Sequence, residues 1–160
     1  MKIIISNTSP LRYLTEIQHQ DVLPQLFGKI AIPHIVFQEL THAHTPPRVR
    51  SFIQTVPDWL QRHDHVKPMD NSLDELDAGE REAIWLAKQL KAELLLIDDK
   101  LGRLLAQLHG VPITGTLGIL EFAAQQRLLH LPQAISKLQQ TNIKISPKLF
   151  QQVLERFSRR

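Results

Sequence analysis

Acids and amides stand just past apolar runs at several distant points of this chain. Asn7 follows "IIIS", Asp98 and Asp99 follow "LLLI", and Gly115-Thr116 follow "VPIT". Two more acids sit in segments with helical spacing. Glu39 comes four residues after Ile35 and three after Val36, so it shares their inward side of a helix. Glu80 precedes Ala83, Ile84 and Ala87 by three, four and seven residues, extending that buried face at its N-terminal end. Glu82 lies roughly 200° around the same helix at ~100° per residue, which favours Glu80. Gathered in one place, such carboxylates repel one another unless something neutralises them. A divalent cation does so, and hard oxygen donors suit Mg2+ or Mn2+ better than zinc.

Each position also has a purely structural reading. Asp77-Ala78-Gly79-Glu80 matches a capping box, with Asp77 as N-cap. Glu39 can be an exposed helix acid, and an Asp pair after a strand can cap the next helix. Asn7 can cap the first helix together with Ser9. The convergence, and no single residue, carries the expectation of a metal site.

That convergence depends on the elements. Apolar runs at Ile3–Ile5, "KIAIP", "ELLLID" and "VPIT" read as strands, and helical patterns separate them. Ser9 and Pro10 predict the start of a first helix that continues through Leu26 and stops at Gly28. "IVFQEL", "TPPRVRSF", "AGEREAIWLAKQLKA" and "KLGRLLAQLHG" follow as helices, with "DNSLDELD" as an exposed acidic loop. From Thr116 onward the chain reads as three helices broken at Pro132 and Pro147. Within them, Ile119, Leu120, Phe122 and Ala123 read as core with a surplus apolar face for a homodimer. Apolar strands alternating with helices imply a parallel sheet of about four strands covered on both faces, an α/β domain. In such sheets ligands sit beyond the carboxyl ends of the strands, where the polar residues fall.

Composition narrows the class. With 160 residues, 42% hydrophobic and 22% charged, the chain can bury one core and is not a disordered sequence. It has no cysteine, which excludes disulfides, thiolate zinc sites and a cysteine nucleophile. No apolar run reaches the ~20 residues that cross a bilayer, and the N-terminal residues do not read as a signal peptide. A cytoplasmic protein with no membrane partner is expected. The net charge of +3 is uneven, with Lys144, Lys148, Arg156, Arg159 and Arg160 forming a basic tail able to meet phosphates. The pairs His42/His44 and His63/His65 read as surface histidines.

The succession of "NTSPL", "LDAGEREAI", "LLIDDKLGR" and "GTLGIL" resembles the PIN-domain family, in a prokaryotic branch related to toxin–antitoxin ribonuclease toxins. The resemblance covers roughly residues 1–125, leaving 126–160 as a C-terminal helical extension of the same domain. It implies a three-layer fold whose acids hold one or two metal ions and cut single-stranded RNA. It also implies a homodimer and a small inhibitory antitoxin. By position, the family's first acid falls on Asn7, the second on Glu39, the third on Glu80 and the last on Asp98 or Asp99. Asp98, nearest the strand end, is the first choice, with Asp99 placing a second ion or the water. Thr8, Ser9 and Thr116 are expected to bind waters or phosphate, and Arg103 to meet RNA phosphate. Asn7 is the departure: an amide oxygen can ligate but brings no charge. It leaves open a catalytically silent module that binds RNA or a protein partner.

Overall fold

The computed structural model describes residues 2–159. Five strands form one parallel sheet: β1 (Ile4–Ser6), β2 (Ile30–Pro33), β3 (Leu60–His63), β4 (Leu94–Leu96) and β5 (Ile113–Thr114). Their order is β3-β2-β1-β4-β5, with every pairing parallel. The chain winds outward from β1 to β3 and then returns to β1's other side for β4 and β5. The crevice between β1 and β4 is therefore the point where the winding reverses, the usual ligand position in open sheets.

Side chains alternate across the sheet and divide the core into two layers. Ile4 and Leu96 face one layer, with Leu11 of α1 (Thr8–Glu16), Leu23 of α2 (Val22–Phe27), Val36 of α3 (His34–Leu40) and Val49 of α4 (Pro47–Gln54). Leu120 of α7 (Thr116–Gln125), Ile135 of α8 (Leu131–Gln139) and Phe150 of α9 (Pro147–Ser158) complete that layer. Ile5, Leu95 and Ile97 face the other, against Ile84 and Trp85 of α5 (Ala78–Gln89) and Ala106 of α6 (Lys100–Leu108). Each such side chain fully buried contributes about 1.5–3 kcal/mol, so both layers hold the sheet edge in place. The two C-terminal helices share the larger core rather than standing off from it.

Several expectations need correction. The first helix is two: α1 ends at Glu16, Gln18 turns the chain at φ 63°, and α2 begins at Val22. Its N-cap is Asn7, not Ser9. β3 is a fifth strand, hidden in sequence because "LQRH" buries only Leu60 and lies at the sheet edge. α5 stops at Gln89, before the full helical pattern runs out, where Lys91 takes φ 53°. The acidic loop is not wholly exposed, because Leu73 and Leu76 are buried against α5's side of the sheet. Ile119, Leu120 and Ala123 are core and only Phe122 of that run is exposed, so little apolar face is left there for a second copy. Pro132 and Pro147 lie in the first turns of α8 and α9, where a missing N–H costs nothing. Of the basic tail, Arg160 lies outside the described residues.

Candidate metal centre

β1 and β4 end side by side. Ser6 pairs with Leu96, and the Asn7 backbone N–H donates to the Leu96 carbonyl at 2.9 Å. The next residues of the two strands, Asn7 and then Asp98 and Asp99, therefore leave the sheet at one edge. Asn7 is 5% exposed and its side chain makes no cap hydrogen bond. Its Oδ1 is buried without a protein partner, a state that costs about 1–3 kcal/mol when nothing else satisfies it.

The first turn of α1 ties three parts of the chain together. Thr8 donates from Oγ1 to Glu39 Oε2 at 2.6 Å, across 31 residues. Ser9 donates from Oγ to Asp98 Oδ2 at 2.7 Å. Thr116 donates to Asp98 twice, from its backbone N at 2.6 Å and from Oγ1 at 2.7 Å. Both Asp98 oxygens are therefore held by neutral donors. The three hydroxyls expected to meet waters or phosphate are engaged on carboxylates instead.

Glu80 stands in the first turn of α5 and is 9% exposed. Its backbone N–H donates to Asp77 Oδ1 at 2.9 Å, so Asp77 does cap this helix. The Glu80 carboxyl faces those of Asp77 and Asp99, and its buried Oε2 receives no hydrogen bond from a donor group. It lies over Gly102 together with Asp99 Oδ2, which accepts the Gly102 N–H at 2.9 Å. Burial, followed by the facing carboxyls of Asp77 and Asp99, pushes the Glu80 pKa up to about 10. Burial also raises Glu39, aided by Asp77 and Glu82 and opposed by the Thr8 hydrogen bond.

Three glycines make room for these acids. A Cβ at Gly79 would collide with the Glu39 carboxylate. One at Gly102 would come to 2.9 Å from Glu80 Oε2, and one at Gly115 to 2.8 Å from Asp98 Oδ1. Arg103, exposed on α6, reaches the same point with a terminal nitrogen 3.8 Å from that Gly115 position. Glu39 and Glu80 come from helices on opposite faces of the sheet, so the edge is where the two layers meet.

The acids do not form one tight cage. No three His, Asp or Glu side chains among the described residues come together closely enough to enclose an ion. They fall into a Glu80–Asp99 pair with Asp77 alongside, Asp98 among its hydroxyls, and Glu39 with Thr8. That arrangement suits Mg2+, which keeps several waters and takes one or two carboxylates rather than an all-protein cage. Asn7 Oδ1 and Glu80 Oε2, buried without a hydrogen-bond donor, have the chemistry such an ion would take.

A family model described as a PIN domain matches residues 3–159. The chain belongs to the PIN-domain family. The match runs past residue 125 and takes in α8 and α9. PIN domains are generally nucleases, typically use divalent metals and bind nucleic acid. A search of curated proteins finds no match, and a search of solved structures finds none. No helix among the described residues is long and apolar enough to cross a membrane.

Sequence reasoning gave Asp77 a capping role alone, although its charge also bears on both Glu39 and Glu80. The glycines beside the acids are a further part of the site. Their signal was present: Gly79 precedes Glu80, Gly102 follows Asp99 by three residues, and Gly115 precedes Thr116.

Proposed function

We propose that this PIN domain is a Mg2+- or Mn2+-dependent endoribonuclease that hydrolyses phosphodiester bonds of single-stranded RNA. The observation that carries this reading is that two buried oxygens, Asn7 Oδ1 and Glu80 Oε2, receive no donor, while the Glu80 carboxyl is pressed against the carboxyls of Asp77 and Asp99. A proton satisfies Glu80 near neutral pH in the metal-free protein, and a cation is the natural replacement for it. Glu80, Asp99 and Asn7 would hold the ion, with Glu39 and Asp98 completing the acid edge. When bound, the ion supplies an activated water and neutralises charge developing on the phosphoryl oxygens.

The protein's own part is to fix that edge. Thr8 orients Glu39, while Ser9 and Thr116 fix Asp98 in place by donating to both its oxygens. Arg103, beside Asp98 and exposed, is suited to a non-bridging phosphate oxygen. The family resemblance further supports a cytoplasmic toxin acting as a homodimer and restrained by a small antitoxin protein, in a domain whose nuclease part is 1–125.

A second reading has its own observation. An amide, Asn7, stands where the family resemblance places an acid, which favours a silent module that binds RNA or a protein partner. Incubating mixed single-stranded RNA with Mg2+, Mn2+ or EDTA, for the native chain and Glu80→Gln, separates the two. Metal-dependent cutting that Glu80→Gln abolishes supports the nuclease. No cutting, with no metal binding by calorimetry, leaves the silent module.

A further inference from the structure

Thr8, Arg12 and Glu16 follow one another by a turn along one side of α1, spanning about 12 Å at ~1.5 Å per residue. Two open cavities lie along this line, and Arg12 lines both. The smaller, about 280 Å³, contains Thr8 and Glu39 of the acid edge, with His42 and Thr45. The larger, about 500 Å³, is walled by α1, α4, α8 and the segment after α8, through Arg12, Glu16, Arg48, Lys137 and Asn142.

The larger cavity is cationic. Arg12, Arg48 and Lys137 face it against one carboxylate, Glu16. Arg12 Nε is 3.5 Å from Glu16 Oε1, is buried and makes no hydrogen bond, and Arg12 Nη2 donates to Asn142 Oδ1 at 3.4 Å. Arg48 donates to the Glu16 backbone carbonyl at 3.0 Å and has no acid partner among the described residues. Lys137 has none either, and its charge, after burial, lowers the His19 pKa. Gln140 and Thr141 add neutral polar groups.

We propose that this cavity is a phosphate-binding subsite for the RNA strand, seating a backbone phosphate a few nucleotides from the acid edge. The proposal rests on the nuclease reading. A polyanionic strand fits better than a free phosphate because Arg12 borders both this cavity and the one that holds Glu39, so a strand lying along α1 passes both. α8 thereby gains a role: its Lys137 supplies a wall of the substrate track.

Binding in EDTA tests this without any cleavage. The anisotropy of a labelled, unstructured oligoribonucleotide is titrated at several salt concentrations against the native chain, Arg48→Gln, Lys137→Gln and Lys137→Arg. The two Gln variants are expected to bind severalfold more weakly and to lower the log–log salt slope by about 0.7 each. Lys137→Arg keeps native binding, and so does Lys29→Gln, which removes a charge at the opposite end of β2. Native affinity and slope in both Gln variants overturn the subsite. Calorimetry with inorganic phosphate separates the sources. Phosphate binding lost in the Gln variants while oligoribonucleotide binding stays native overturns the RNA assignment. Since no readout is catalytic, an absence of cleavage sinks the nuclease reading alone, and intact cleavage with unchanged slopes sinks the subsite alone.

Discussion

Ser9 and Asp98 stand 89 residues apart and share a 2.7 Å hydrogen bond. With the two bonds from Thr116, it makes Asp98 the knot that joins α1, the end of β4 and the start of α7. Removing a hydrogen bond to a charged group costs about 1.5–3 kcal/mol, so Ser9→Ala should be destabilised by that amount. Asp98→Ala, which loses all three, should cost more than Ser9→Ala. Urea unfolding checks both, through a lower midpoint at unchanged slope. An Asp98 that served only as an exposed ligand would leave the midpoint where it was.

Gly79→Ala should separate stability from function. The atoms its Cβ would meet are the carboxyl end of Glu39, a flexible side chain that can swing aside. Alanine is about 1 kcal/mol better than glycine within a helix, so thermal unfolding should be unchanged or slightly raised. Glu39 is nonetheless displaced from Thr8, and metal-dependent cleavage should fall at least tenfold. A large stability loss would show that Glu39 cannot move.

The acid edge sets a pH dependence whose sign follows from Glu80. Its carboxyl releases a proton near 4.5 when unfolded and near 10 in the folded chain. Between those values the folded state binds the extra proton, so stability is greatest below about 4.5 and falls as pH rises through the window. The melting temperature of metal-free protein should therefore decline from pH 5 to pH 9. Glu80→Gln should flatten that slope, and saturating Mn2+ should flatten it for the native chain. A slope that Glu80→Gln leaves intact would assign it to another group.

Asn7→Asp restores the charge that the amide lacks. Without metal it adds an anion to a buried edge already short of cations, so the melting temperature should drop. With Mg2+ the added charge should tighten binding at least tenfold, about 1.4 kcal/mol. Calorimetry of both proteins decides it. Equal affinities would place Asn7 outside the metal's ligands.

Much of the fold was legible because its signals are local. β1, β2 and β4 are apolar on both faces and stop at polar residues, and Glu80 continues a stripe already marked by Ala83 and Ile84. β3 was not legible, since an edge strand with two exposed polar residues has neither pattern. The turn at Gln18 was hidden for a different reason. Two local bonds close α1 there, Gln18 N–H to the Thr15 carbonyl and His19 N–H to the Leu14 carbonyl. The residue at positive φ is glutamine, however, not the glycine that marks such an end in sequence. At the site, residue types and strand ends identified the edge. The partnerships did not follow from them, because Thr8 finds Glu39 and Thr116 finds Asp98 only through the stacking of whole elements.

The place of β1 has a consequence for synthesis. β1, made before the other four strands of its sheet, sits at the sheet's centre, and its partner β4 lies some ninety residues later. Such distant pairing is slow to form, and a chain leaving the ribosome cannot form it early. Until Thr116 has emerged, Asp98 has at most one of its three donors. A nascent chain therefore lacks the Asp98 knot, and its acid edge closes only once Thr116 is free to reach it.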